Sequence, residues 1–218
     1  MSRLTKFACA FVMVSLPCAV TVAQAAEISA PVRAVLDFDK NGKKLDKSYR
    51  VGYLIQCVNN PYCQASIHGM EDASKKFGFQ VKIFDANFTA AEQLRQTQDA
   101  TAEKFDAYIF APITAASGCS LWKQYLQPTG KPVVSLDLPM CGDLDYTPGL
   151  EATVILQRAA YEDAMSEYAF AHCGKPECNA VAIGGFVGSD LQNLWEAGLK
   201  KAEKAHPNVH LLVNQPGN

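Results

Sequence analysis

Residues 56–64, "QCVNNPYCQ", hold two cysteines, two asparagines, a proline and a tyrosine directly behind an apolar run, "RVGYLI". Four chemistries could use such a stretch: a zinc knuckle, a redox pair, a cysteine nucleophile, or a stapled loop that presents polar groups to a ligand. Zinc wants short paired spacings that converge on four ligands. Cys57-x5-Cys63 and Cys173-x4-Cys178 are looser than that, and His68 and His172 lack matching partners. A redox C-x-x-C is absent. A nucleophilic cysteine needs a histidine base, and His68, five positions past Cys63, points elsewhere on a helix.

The compartment narrows the choice. The chain opens "MSRLTKFACAFVMVSLPCAVTVAQAAEI", with Arg3 and Lys6 as a basic head, Phe7 to Val22 as an apolar middle and Ala23-Gln24-Ala25 as an A-x-A site. That order is the grammar of a secretory signal peptide, cleaved after Ala25. The apolar stretch contains Pro17 and is shorter than the roughly 20 residues a membrane span needs. Pro17 also argues against lipidation of Cys18, where a small preceding residue is wanted. Losing the signal moves the formal charge from -2 to -4. A mildly acidic chain without a Lys/Arg cluster gives no reason to expect nucleic acid or an anionic membrane as partner. Six cysteines stay in the exported chain, Cys57, Cys63, Cys119, Cys141, Cys173 and Cys178, and an even number there favours disulfides.

The elements that must position these residues alternate. After a polar leader (26–48), "RVGYLIQC" reads as a strand and "PYCQASIHGMEDASKKFG" as a helix with Ile67, Met70, Ala73 and Phe77 on one stripe. "FQVKIFDA" is a second strand. "TAAEQLRQTQDATAEK" is a helix opened by a capping box, Thr89 to Glu92. "FDAYIFAP", "SGCSLWKQYLQ" and "KPVVSLDLP" give strand, helix and strand. Such alternation predicts βαβ units and a parallel sheet. "DLDYTPGLE" breaks the rhythm. It is followed by a helical stretch, "LQRAAYEDAMSEYAFAHC", a strand and glycine turn, "NAVAIGGFVG", a helix, "SDLQNLWEAGLKKAEKAH", and a strand, "NVHLLVNQ". The expected organisation is a signal peptide (1–25), a leader (26–48), an α/β lobe (49–150) and a partial second α/β lobe (151–218), with a hinge near 148–153.

Ligands of open parallel sheets bind outside the carboxyl ends of the strands, which puts "QCVNNPYCQ" on the functional edge. Asn60 and Pro61 suit a helix cap and first turn, and Asn60 could equally contact a ligand. Asn59 and Tyr62 have no comparable structural task; an amide and an aromatic face suit a small polyhydroxy molecule. Asp137, at the end of the fourth strand, could accept two hydroxyl hydrogens or cap its loop. "GGFVGS" is neither G-x-G-x-x-G nor a P-loop with its lysine, so it reads as a tight turn rather than a phosphate cradle.

"VGYLIQCVNNPYCQASIHGMEDASKKFGFQVKIFDA", "FDAYIFAP", "GKPVVSLD" and "GGFVGSDLQNLWEAGLKKAEKAHPNV" resemble the periplasmic sugar-binding proteins of ABC transporters, the ribose-binding type that shares its fold with the ligand domain of LacI repressors. The resemblance runs from about Arg50 onward, and the N-N-P-aromatic turn is its most specific piece. It implies an α/β, type I periplasmic binding protein fold, two parallel-sheet Rossmann-like lobes, here with the second incomplete. It implies ligand contacts at Asn60, Tyr62 and Cys63 in the first loop and at Asp137, and a cleft-facing Phe186, Ser189 and Asp190. Leu138, Ala111 and Trp195 stand where the family commonly has an arginine, an asparagine and an arginine, and Cys63 replaces an aromatic. Trp195 could therefore supply an indole to the ligand or sit in the core, and ribose itself is disfavoured.

With that topology, Cys57, Cys63, Cys119 and Cys141 share the carboxyl edge, while Cys173 and Cys178 bracket the turn "GKPE". The expected pairs are 57–63, 119–141 and 173–178, and the stapled-loop reading of "QCVNNPYCQ" is the one that survives. No G-x-S-x-G elbow, Walker loop or paired loop carboxylates point to an enzyme, and no cofactor or metal is implied. The implied partners are a small sugar-like ligand and the inner-membrane permease of an ABC importer, with the protein acting as a periplasmic monomer. Two alternatives stay open: a ligand-sensing subunit for a chemoreceptor or sensor kinase, and an inactive fragment of a binding protein.

Overall fold

Tyr53, Leu54 and Ile55 are all buried, as a parallel strand covered on both faces requires. Strand β1 (Arg50–Ile55) is the centre from which the first sheet grows. Chain order continues with α1 (Pro61–Phe77), β2 (Gln80–Asp85), α2 (Ala90–Ala102), β3 (Ala107–Phe110), α3 (Ala115–Leu121), β4 (Val133–Asp137), β5 (Ala152–Ile155), α4 (Ala159–Ala171), β6 (Cys178–Ile183), α5 (Asp190–Ala205) and β7 (Val209–Gln215). Helix α3 runs on through a π-turn, Trp122–Leu126, and a tight turn, Gln127–Thr129. This computed structural model describes residues 40, 45–142, 146–155, 158–174, 176–185, 187 and 189–217. The expected signal peptide, most of the leader and Phe186 lie outside the described residues. From Leu45 on, the described residues belong to one compact unit, and no described helix is long and apolar enough to cross a membrane.

The first sheet is parallel throughout, in the order β2-β1-β3-β4-β5. Alternate strand residues feed two cores. Leu54, Phe84, Tyr108, Phe110 and Val133 meet Leu121, Trp122 and Leu126 of the α3 segment on one side. Tyr53 and Ile55 meet Cys63, Ile67 and Met70 of α1 on the other. Ile67 and Met70 of the α1 stripe read from the sequence pack there. Strands β6 and β7 form a second parallel sheet, whose core joins Phe170 of α4 to Leu199 and Ala202 of α5. Val181, Ile183 and Leu212 of this sheet stay exposed.

Three local expectations change. The chain leaves the first sheet at Ile155, because residues 152–155 pair with β4. The first sheet therefore extends past the expected lobe limit at 150. A four-residue edge strand carries too little apolar pattern to be read ahead of a helix. Helix α4 accordingly begins at Ala159, not at the start of "LQRAAYED". The capping box of α2 does not close: Thr89 is the N-cap without a side-chain bond to the helix, and its hydroxyl donates to the Asn87 carbonyl (3.1 Å). Glu92 turns instead to Arg95 and Gln96, whose hydrogen bonds hold its carboxyl down to about 2.

Candidate ligand site

The carboxyl ends of β1 and β4 bring three polar side chains together. Asp137 closes β4 as the central residue of a γ-turn, in which the Leu138 N–H donates to the Leu136 carbonyl (2.9 Å). Its φ of 71° is left-handed, a conformation that non-glycine residues keep only when the surroundings enforce it. Ser135 supports the turn by donating its hydroxyl to the Leu138 carbonyl (3.0 Å). One Asp137 oxygen accepts from the Tyr62 hydroxyl, and the other accepts from Gln56 Nε2 at 3.1 Å. Gln56 also donates to the Pro112 carbonyl (2.9 Å), which ties the ends of β1, β3 and β4 to one amide. Burial raises the Asp137 carboxyl above its ordinary value, and the bonds from Tyr62 and Gln56 pull it part of the way back. The Tyr62 phenol is pushed up, by burial first and then by its bond to Asp137. Tyr62 nevertheless leaves 44% of its surface exposed, so the ring and the carboxylate edge remain available to a ligand.

Around this group the first loop is set by capping. Asn60 is the N-cap of α1; its Oδ1 accepts from the Cys63 N–H (2.8 Å), and Pro61 fills the first helical position. The structure thus gives Asn60 the capping task. Cys63 is fully buried beside Cys57, with 5.8 Å between their Cα atoms, so its side chain belongs to the core under α1. Asn59 is exposed and lines a polar groove of about 820 Å³ with Asp85, Asn87, Thr89, Glu92 and Arg95. Cys119 and Cys141 lie 4.8 Å apart and Cys173 and Cys178 6.1 Å apart at their Cα atoms, the same partners that topology suggested.

In the second lobe, Trp195 packs on the core of Phe170 and Leu199 and covers Gly184, where any Cβ would overlap its ring. Asp190 accepts from the Ala115 N–H of the first lobe at 2.7 Å. Neither meets the Asp137 group in this structure. Three residues that the sequence did not single out do positional work. Gln56 is one; its signal was a lone amide directly behind an apolar strand. Gln93, fully buried, grips the loop after β3 by donating to the Ala111 carbonyl (3.0 Å) and accepting from the Ile113 N–H (3.1 Å). Gln192 repeats the device in the second lobe, accepting from the Gly185 N–H (2.6 Å). Inside an amphipathic helix pattern, such glutamines look like ordinary polar positions.

A carboxylate, a phenol and an amide, all able to hydrogen-bond hydroxyl groups, thus stand together at the edge where open parallel sheets take their ligands. The family model for the periplasmic binding protein domain matches residues 51–218. The chain belongs to the periplasmic binding protein family. That family is one of ligand binders rather than catalysts. The ribose import binding protein of Bacillus subtilis (strain 168) is 30% identical over 91 residues, which cover 42% of this chain and 30% of that protein. Among solved structures, a galactofuranose binding protein superposes with a TM-score of 0.67 at 21% identity, over 78% of this chain and 56% of that one. The Caulobacter myo-inositol binding protein, bound to myo-inositol, gives a TM-score of 0.66 at 20% identity, over 80% and 57%. These likenesses establish the type I periplasmic binding protein fold, and the chain spans little more than half the length of the solved relatives it matches.

Proposed function

We propose that this protein is the periplasmic solute-binding component of an ABC importer, which takes a sugar or similar small polyhydroxy molecule between its lobes and hands it to an inner-membrane permease. The observation that carries the reading is the Asp137 carboxylate, held in a left-handed turn by Tyr62 and Gln56 at the carboxyl edge of the first sheet. A carboxylate fixed this way forms charge-assisted hydrogen bonds to ligand hydroxyls, and the Tyr62 ring offers a face for their C–H groups. The names of the relatives, which concern ribose, galactofuranose and myo-inositol, support the same ligand class. The opening residues supply the export signal and the cysteine pairs stiffen the loops that bear the site, which lowers the ordering cost of binding.

The test is a thermal-shift screen of the complete gene product against sugars, polyols, sugar acids and amines, followed by calorimetric titration of any hit. A ligand at a hundredfold excess over Kd stabilises by about 2.7 kcal/mol. A neutral polyol or sugar is expected to give such a shift. A panel with no shift and no heat, from a folded protein, would refute the reading.

A further inference from the structure

The bond from Ala115 to Asp190 crosses from the first lobe to the second, and its chemistry is specific. Ala115 is the first residue of α3, and the first N–H groups of a helix have no partner inside it. Thr114 satisfies one of them locally, its Oγ1 accepting from the Ser117 N–H (3.1 Å). The Ala115 N–H instead reaches the Asp190 carboxylate at 2.7 Å, 75 positions away in sequence. Asp190 is itself the first residue of α5, whose N-cap Ser189 accepts from the Gln192 N–H. The carboxylate therefore stands at the positive ends of two helices, one in each lobe, where a negative charge is favourable to both.

We infer that Asp190 is a clasp: a positioning residue that holds α3 of the first lobe against α5 of the second and keeps the lobes together before any ligand arrives. This goes beyond the solute-binding reading, since it concerns lobe geometry with or without a ligand. A side chain committed to Ala115 presets one arrangement of the two lobes before binding. Binding in that arrangement then costs the ligand less of its binding energy, as for any population shift toward a competent state.

The test uses the full chain without ligand, reading amide hydrogen exchange at Ala115 and small-angle scattering. In the wild type the Ala115 amide should be protected, although it has no acceptor within its own helix. Asp190→Ala should lower that protection by about tenfold or more, the scale of a hydrogen bond to a charged acceptor, and should increase the radius of gyration. Asp190→Asn keeps an acceptor oxygen and should retain most of the protection. Ala115→Pro removes the donor from the other side; Thr114 is already extended (φ -137°, ψ 155°), which suits a following proline at the first helical position. It should expand the molecule as Asp190→Ala does, and the double variant should expand it no further. Protection retained in β1 and β3 shows that each variant is folded. An unprotected Ala115 in the wild type, or scattering unchanged in both single variants, would overturn the clasp whatever the ligand proves to be.

Discussion

Asp137 concentrates the chemistry of the site in one strained residue. Its charge is the group expected to bind ligand hydroxyls, and its burial raises the pH at which that charge is lost. Asp137→Asn keeps the size and the tolerance of left-handed backbone but removes the charge, and should weaken binding of the best sugar by about 1–2 kcal/mol, the difference between charged and neutral acceptors. Calorimetry of wild type and variant checks this; equal affinities would return Asp137 to a loop-capping role. The same group predicts a pH profile. Wild-type affinity should fall as the solution is acidified through a midpoint above the ordinary aspartate value of 3.8, and the Asn variant should be flat there. Glu162, buried on α4, is raised by burial alone. The folded protein keeps this proton after the unfolded chain has released it, so the residue's contribution to stability declines as pH rises from the ordinary glutamate value of 4.5 through the raised one. Glu162→Gln should therefore melt above wild type at neutral pH, with the gap closing in acid.

Among the elements, helix ends and helix contacts decide where functional groups go. Cys119, in α3, and Cys141, after β4, close a loop with a sequence separation of 22. Replacing both by serine should cost about 3 kcal/mol in urea unfolding, by the loop-closure argument. Mass spectrometry of exported protein, alkylated without reduction, should find no free thiol among the six exported cysteines; a modified Cys119 or Cys141 would count against the pair. Helices α4 and α5 pack so closely at Gly198 that a Cβ would stand 2.8 Å from the Glu162 carbonyl oxygen. Backbone cannot swing aside as a side chain can, so Gly198→Ala should destabilise the second lobe by about 1–3 kcal/mol. An unchanged melting curve would show that the helix pair has room to slide.

At the scale of the molecule the two lobes differ in what covers their sheets. The five-stranded sheet has helices on both faces, and its cores run through α1, α2 and α3. The two-stranded sheet leaves Val181 at 62%, Ile183 at 73% and Leu212 at 62% exposure, so much less apolar burial stabilises it. In the 218-residue chain, limited proteolysis should cut first between β6 and β7 or at the crossing after Ile155, leaving the five-stranded lobe as the resistant core. Cuts appearing first inside β1 or β3 would contradict this order of stability.

Much of this was legible in the sequence because its cause is local. Apolar runs of strand length between helical stripes give a parallel α/β sheet whatever the long-range contacts; Pro61 behind Asn60 gives a capped helix start; and a shared sheet edge makes the cysteine partners a matter of topology. What tertiary structure alone decided depends on groups far apart in the chain. Strand β5 exists because β4 offers it a ladder, and Gln56 belongs to the site because Pro112 and Asp137 come to meet it. Glu92 turns to Arg95 while the Thr89 N–H it would have capped is taken by the Ala86 carbonyl. Trp195 went to the core and Asp190 to the opposite lobe, since an indole gains most from apolar burial and a carboxylate from unpaired N–H groups. Sequence sets those appetites, but only the packed fold determines which partner is within reach.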